Sequence, residues 1–384
     1  MPSDRRRWLS RLAAGISGLS VPLLARAQAV RARFARVQPG NVLRFPRDHG
    51  AHPDFRIEWW YITAWLRDES RQTKPWQDDG LGLQITFFRV ASGHAQDNPS
   101  LFAPRQLLFA HAALATPTRP RLLHAQRSAR AGFGIAEAAQ GDTHLRIGDW
   151  TLVRGPDDHY RAVIETDAFS LNLVFKASAP PVLQGDAGFS RKGPNPEQAS
   201  FYYSRPWLDV SGHLDIRDAK AGSPMPSEPR HMRGDAWFDH EWSSQVLDER
   251  ASGWDWVGLH FDDGASLMAF RIRSADGSEL WREARWTTLT HRQVNAKAET
   301  PNPRFIPLRQ WQSPRTGAHW PVEMQLSLGE RTWVLRPLID DQELDSRQTT
   351  GVVYWEGAVR VFEAGRAVGR GYLELTGYHQ RMRL

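Results

Sequence analysis

The sequence predicts an all-β protein, and three observations lead there. Short runs of alternating polar and apolar residues dominate the chain, helical periodicity is nearly absent, and Asx-Gly turn signals separate the runs. In the first half the runs lie at residues 59–66, 82–88 and 170–175, with a further strand over 234–242. In the second half they lie at 254–261, 266–272, 318–326, 332–337, 351–362 and 371–378. Asp262-Asp263-Gly264 and Ala275-Asp276-Gly277 carry the chemistry that hairpin turns use. Evenly spaced short strands with such turns favour sandwiches or barrels over a parallel sheet. Two polar stretches, 184–198 and 219–231, break the rhythm and read as cover loops or linkers. The domain change is expected just after the second, at Ser244, giving an N-terminal domain over 40–244 and a C-terminal domain over 245–384.

Residues 1–29 read as an export signal. Arg5, Arg6 and Arg7 precede Trp8 and Leu9, an apolar run covers 12–24, and Ala25-Arg26-Ala27 and Ala27-Gln28-Ala29 offer small-x-small cleavage sites. The paired arginines point to the twin-arginine route and a periplasmic address. The run falls short of the ~20 apolar residues a membrane span needs, and no later stretch reaches that length, so no transmembrane segment is expected in the mature chain. The chain has no cysteine, so it must hold together by burial rather than by disulfides. The formal charge of +6 includes five Arg and one Asp in the signal, so the remainder carries +2 and no nucleic-acid partner is expected. Seventeen Trp and seventeen Phe against seven Tyr point instead to wide aromatic cores or an apolar ligand cavity. No cofactor is expected.

Three stretches are dense in chemistry-bearing residues. The first spans 45–61 and contains Asp48, His49, His52 and the word Glu58-Trp59-Trp60-Tyr61. The second runs Trp237-Phe238-Asp239-His240-Glu241-Trp242 and continues to Trp254-Asp255-Trp256. The third joins 354–359 to 371–378. An imidazole flanked by carboxylates suits proton transfer near neutral pH. Strand alternation puts Asp239 and Glu241 on one face and His240 with Trp242 on the other. An imidazole beside an indole, His240 next to Trp242, suits protonation of a carbon–carbon double bond, because the ring face stabilises the resulting cation. The bland reading of Asp239-His240-Glu241-Trp242 is a buried polar network pinning two barrels together. That of Glu58–Tyr61 is a strand with Trp59 and Tyr61 in one core, Trp60 outside, and Glu58 paired with Arg56 or Arg47. His49 and His52 open a metal alternative with ligands from the second stretch. No Gly-x-Ser-x-Gly word supports a serine nucleophile.

At these words the chain resembles the lipocalin-like family of AttH-type secreted proteins, often labelled predicted hydrolases, and the carotenoid 1,2-hydratases (CrtC type). The resemblance covers nearly the whole mature chain and is nearest the AttH-type branch. It implies two antiparallel lipocalin-like β-barrels packed together with a site near their junction. It further implies a lipophilic, isoprenoid- or lipid-like ligand and hydro-lyase chemistry in which His240 and Trp242 carry across from the family, while Asp239 and Glu241 join them as catalytic candidates on grounds of chemistry. Glu58, Trp59, Trp60, Tyr61, Trp237, Trp254, Asp255 and Trp256 would line the substrate site. Carotenoid hydratases are expected to carry a Tyr-x-Asp pair on the next strand, where this chain reads Met268-Ala269-Phe270-Arg271-Ile272, so Asp239, Glu241 or Asp255 would have to serve as the acid. Two alternatives stand beside this: a non-catalytic carrier working with an ABC-type export system, and a metal-dependent hydrolase.

Overall fold

A computed structural model of the 384-residue chain describes residues 34–70, 80–93, 98–100, 102–217, 229–245, 247–290, 293–296 and 301–382. The export signal at 1–29 and most of the polar stretch 219–231 lie outside the described residues. Residues 33–384 form one compact unit.

Its first sheet uses β1 (Ile57–Asp68), β2 (Leu81–Ala91), β3 (Gln106–Ala115), β4 (Leu123–Arg130), β5 (Ala136–Ala138), β6 (His144–Ile147), β7 (Trp150–Arg154), β8 (His159–Glu165), β9 (Phe169–Ala177), β10 (Val182–Leu183), β11 (Phe189–Arg191), β12 (Ala199–Ile216) and β13 (Arg230–Gln245). The second uses β14 (Ala251–Phe261), β15 (Ala265–Ser274), β16 (Glu279–Thr290), β17 (Gln293–Ala296), β18 (Pro303–Gln312), β19 (His319–Leu328), β20 (Arg331–Pro337), β21 (Glu343–Asp345), β22 (Val353–Glu363) and β23 (Arg366–Leu375). All pairings between these strands are antiparallel.

The first sheet runs β4-β3-β2-β1-β13-β12-β9-β8-β7-β6-β5 and curls into a nearly closed barrel, its two ends meeting where β3 and β4 approach β5 and β6. The second runs β17-β16-β15-β14-β23-β22-β20-β19-β18 and makes a half-barrel. The predicted all-β, lipocalin-like architecture is what the chain adopts. Gly264 and Gly277 take φ of +85° and +83° in the two turns read from sequence, where a side chain would be strained.

Each barrel buries its own core, and a third apolar cluster fills the space between them. That cluster joins Tyr61 and Trp65 of β1, Tyr202 of β12 and Trp237 of β13 to Trp256, Phe270, Ile272 and Tyr372 of the second sheet. Aromatic residues do double duty at this seam. Tyr61 Oη donates to Glu356 Oε2 at 2.8 Å, Trp65 Nε1 to the Gly371 carbonyl at 2.9 Å, and Trp256 Nε1 to Tyr202 Oη at 3.2 Å. Each ring thus buries apolar area on one sheet while its polar tip satisfies a group on the other.

The barrels approach each other closely at Gly82 on β2. A Cβ there would lie 2.5 Å from Ala358 Cβ and 2.7 Å from Tyr372 Oη, so glycine is what lets the two backbones approach. Gly82→Val should therefore destabilise the protein by about 1–3 kcal/mol, as overpacking does, seen as a lowered midpoint in denaturant unfolding. An unchanged midpoint would show that the barrels do not depend on this contact.

Candidate functional site

The strands β1 and β13 are neighbours, in register Trp60↔His240 and Glu58↔Trp242, and their alternating side chains serve two compartments. One face looks into the first barrel. There Glu58, fully buried, collects Nε2 of His240 at 2.9 Å and Nδ1 of His52 at 2.7 Å on Oε1, and Nε of Arg89 at 2.7 Å on Oε2. Arg89 stands directly opposite Glu58 on β2 and also donates to Gln106 Oε1 and to the carbonyls of His52 and Phe55. His52 Nε2 lies 3.3 Å from Asp48 Oδ1, and its ring stacks on Trp242 at 3.8 Å. His240 stacks on Trp60 at 4.6 Å and meets Tyr203 Oη at 3.2 Å.

Burial alone would raise the Glu58 carboxyl, but the hydrogen bonds from His240 and His52 and the charge of Arg89 hold it well below the usual carboxylate range. Burial pushes His240 down to about 4, against the pull of Glu58. Burial also lowers His52, but its bonds to Asp48 and Glu58 outweigh that and raise it. The ligand atoms of His52, Glu58 and His240 lie within 4.8 Å of one another, so these three residues could hold a cation. Every one of those atoms is already engaged, however, and the Arg89 guanidinium occupies the second oxygen of Glu58. The donor set fits a closed polar network better than a metal centre. His49 is not one of the three but meets the network through Tyr203, whose Oη lies 2.7 Å from its Nδ1.

The other face of β1 and β13 looks into a cavity of about 320 Å³ between the barrels. Trp59, Tyr61, Phe88, Tyr202, Trp254 and Trp256 contribute its aromatic wall, and Asp239, Glu241, Lys192, Glu356 and Glu374 its polar groups. Asp239 is 3% exposed and accepts hydrogen bonds from Tyr202 Oη at 2.8 Å, Ser204 Oγ at 2.5 Å and Trp237 Nε1 at 2.7 Å. Burial raises it to about 7 despite those three donors, with the Glu241 charge adding to the rise. Glu374 receives Trp254 Nε1 at 3.1 Å, and burial, together with the charges of Asp239 and Glu241, raises it to about 8. Its register partner Glu356 is raised well above the usual range by burial and by Glu374. Carboxylic acids that stay protonated near neutral pH thus face an aromatic cavity.

The sheet between the two faces divides the predicted catalytic set. His240 and Trp242 belong to the first barrel's interior with Glu58 and Trp60, while Asp239 and Glu241 belong to the cavity with Trp59, Tyr61, Trp254 and Trp256. Trp60 is therefore inside and fully buried, not outside, and Glu58 pairs with Arg89 rather than Arg56 or Arg47. Trp237 backs the cavity by orienting Asp239. Asp255 is no cavity acid: it points to the other face of β14 and forms ion pairs with Arg271 at 2.6 Å and Arg273 at 3.1 Å. Sequence reasoning missed Lys192, Tyr202, Glu356 and Glu374 as site residues. A signal for the two glutamates existed, because Tyr354-x-Glu356 and Tyr372-x-Glu374 put a carboxyl on a face that is otherwise apolar or aromatic.

A carboxyl whose pKa rises on folding binds more protons folded than unfolded between those two values, so it favours folding at low pH and loses that contribution as pH rises. Asp239 and Glu374 should together make stability fall from about pH 4 to about pH 8, by up to roughly 1.4 kcal/mol per pH unit per group. Denaturant midpoints measured across this window should flatten in Asp239→Asn and Glu374→Gln. Parallel curves for wild type and variants would show that these groups titrate as they do in water.

The family model described as AttH-like matches residues 36–378. A protein of Nitrosomonas europaea described as AttH, solved at 2.00 Å, is 45% identical, with a TM-score of 0.78 covering 90% of this chain and 100% of that one. Kievitone hydratase from Nectria haematococca shares the fold at 14% identity, with a TM-score of 0.62 covering 91% of this chain and 97% of that one. No functionally curated protein shows significant sequence similarity to the chain. Family model and 45%-identical relative agree over nearly the whole described chain, and the protein belongs to the AttH-like family.

Proposed function

We propose that this AttH-like protein is exported to the periplasm, binds an elongated lipophilic molecule in the cavity between its barrels, and adds water across a double bond of that molecule. The observation that carries the reading is an aromatic wall facing one carboxyl raised to about 8, Glu374, and a second raised to about 7, Asp239. Two carboxyls in different surroundings take different roles. Glu374, with a single donor, is the acid: its proton passes to one alkene carbon, and the positive charge on the other faces the indoles of Trp254 and Trp256. Asp239, held by three donors as an acceptor, takes a proton from the water whose oxygen attacks that carbon. Return of the proton from Asp239 to Glu374 closes the cycle, and the sum is one water added. The His240 network carries no step; it stiffens the strands that bear Asp239 and Trp59.

The test uses an acyclic isoprenoid alkene such as geraniol in ¹⁸O-labelled water. Wild-type protein should incorporate one labelled oxygen, with a bell-shaped pH profile whose limbs lie at about 7 and about 8. Glu374→Gln should bind the alkene but lose at least about a hundredfold in rate. Binding without turnover in both proteins would replace the hydratase reading with that of a carrier, the role a partner of an ABC-type exporter would play. Absence of binding in both would remove the cavity from the account.

A further inference from the structure

Lys192 stands out in the cavity wall because neither the core nor the hydration reading uses it. Only five of the 49 Lys and Arg residues are lysines. Among the described residues there are two, and Lys176 is exposed while Lys192 is 6% exposed. Arginine supplies nearly every cation of this chain, and the exposed Arg56 reaches the cavity too, yet the buried cation in the cavity wall is an amine. The two cations differ in one respect that matters there: a desolvated amine can act as a nucleophile, and a guanidinium cannot.

The amine is held in place from both ends. The Lys192 backbone N–H donates to the Gln198 carbonyl at 2.7 Å, which closes the loop after β11. Nζ lies 3.1 Å from Glu241 Oε1, 4.2 Å from the Phe270 ring centre and 4.6 Å from that of Tyr202. Glu241 Oε1 is buried, and among the described residues it accepts no other hydrogen bond, which leaves it to the Lys192 ammonium. Glu283 on β16 is the other carboxyl whose charge reaches Lys192.

We propose that Lys192 forms a Schiff base with the carbonyl group of an apolar aldehyde or ketone bound in the cavity. Glu241 takes a proton from the ammonium, and the free amine adds to the carbonyl carbon to give a carbinolamine. Glu241 then returns the proton to the carbinolamine hydroxyl, water leaves, and a protonated imine remains beside the Glu241 carboxylate. The balance is one carbonyl and one ammonium in, one iminium and one water out. Charge decides for this chemistry over capture of an anionic head group. An iminium keeps the positive charge between Glu241, Phe270 and Tyr202, whereas an arriving carboxylate would have to displace Glu241 and strand a buried anion, a costly change.

The inference rests on the cavity being the ligand site, and the experiment separates the two. Mature protein is incubated with decanal and cyanoborohydride, which reduces an imine to a stable secondary amine, and the labelled lysine is located by peptide mass spectrometry. Binding of the uncharged analogue decanol is measured in parallel. Lys192 should be labelled at least about ten times faster than Lys176, because the cavity presents the carbonyl to it. Lys192→Arg should lose the label at that site while Lys176 is labelled at its unchanged rate. Decanol binding with Lys192 labelled no faster than Lys176 would overturn the Schiff-base proposal while leaving the cavity. Loss of decanol binding in the wild type would remove the cavity, and the proposal with it.

Discussion

Much of this structure depends on the two-residue period of one pair of strands. β1 and β13 lie side by side, and each sends alternate side chains into the first barrel and into the cavity outside it. The shared wall is therefore closed and densely bonded on one face and borders a cavity on the other. Glu58 sits on the closed face. A carboxylate with no exposed surface is tolerable only when its charge is paired and its lone pairs are filled, and His52, His240 and Arg89 do both. Stacking of Trp60 and Trp242 on the two imidazoles then fixes the rings. His240 and Trp242, read in the sequence as part of a catalytic set, belong to this buried network.

The opposite face carries a different electrostatic bargain. Asp239, Glu356 and Glu374 are buried, and desolvation, the largest influence on each, drives them toward the neutral acid. A protein selected for stability alone would place apolar residues at such positions, and Tyr354, Trp256 and Phe270 show that this seam accepts them. Retaining acids there makes sense where a proton or a positive charge has to be managed beside an apolar molecule. The indole and phenol donors that orient these acids come from both barrels, so the chemistry of the cavity depends on the barrels staying docked.

The fold was legible because alternation and Asx-Gly turns are local signals. The runs at 59–66, 254–261 and 351–362 became β1, β14 and β22 with small shifts at their ends. β12 escaped notice although it has 18 residues: Pro206 interrupts it, and a register shift between Arg205 and Leu208 breaks the alternation there. The polar stretch 184–198 read as a cover loop or linker, yet it contains β11 and delivers Lys192 to the cavity. Facing was harder to read than strand position. Alternation separates Asp239 and Glu241 from His240 and Trp242, but nothing local says which side is barrel and which is cavity. Partners that meet only in three dimensions were not legible at all: Arg89 with Glu58, Tyr61 with Glu356, and Lys192 with Glu241.

The central claim is that the seam between the barrels, and not the His240 network, is where this protein meets its ligand. Native mass spectrometry of protein purified from the envelope of its own cell, followed by extraction and identification of what it carries, tests that claim most directly. The account predicts one equivalent of an apolar organic molecule, displaced when a bulky side chain such as Phe replaces Thr86 in the cavity wall. A protein free of organic ligand and carrying one metal ion, lost on replacing His52, would contradict it and move the site to the first barrel.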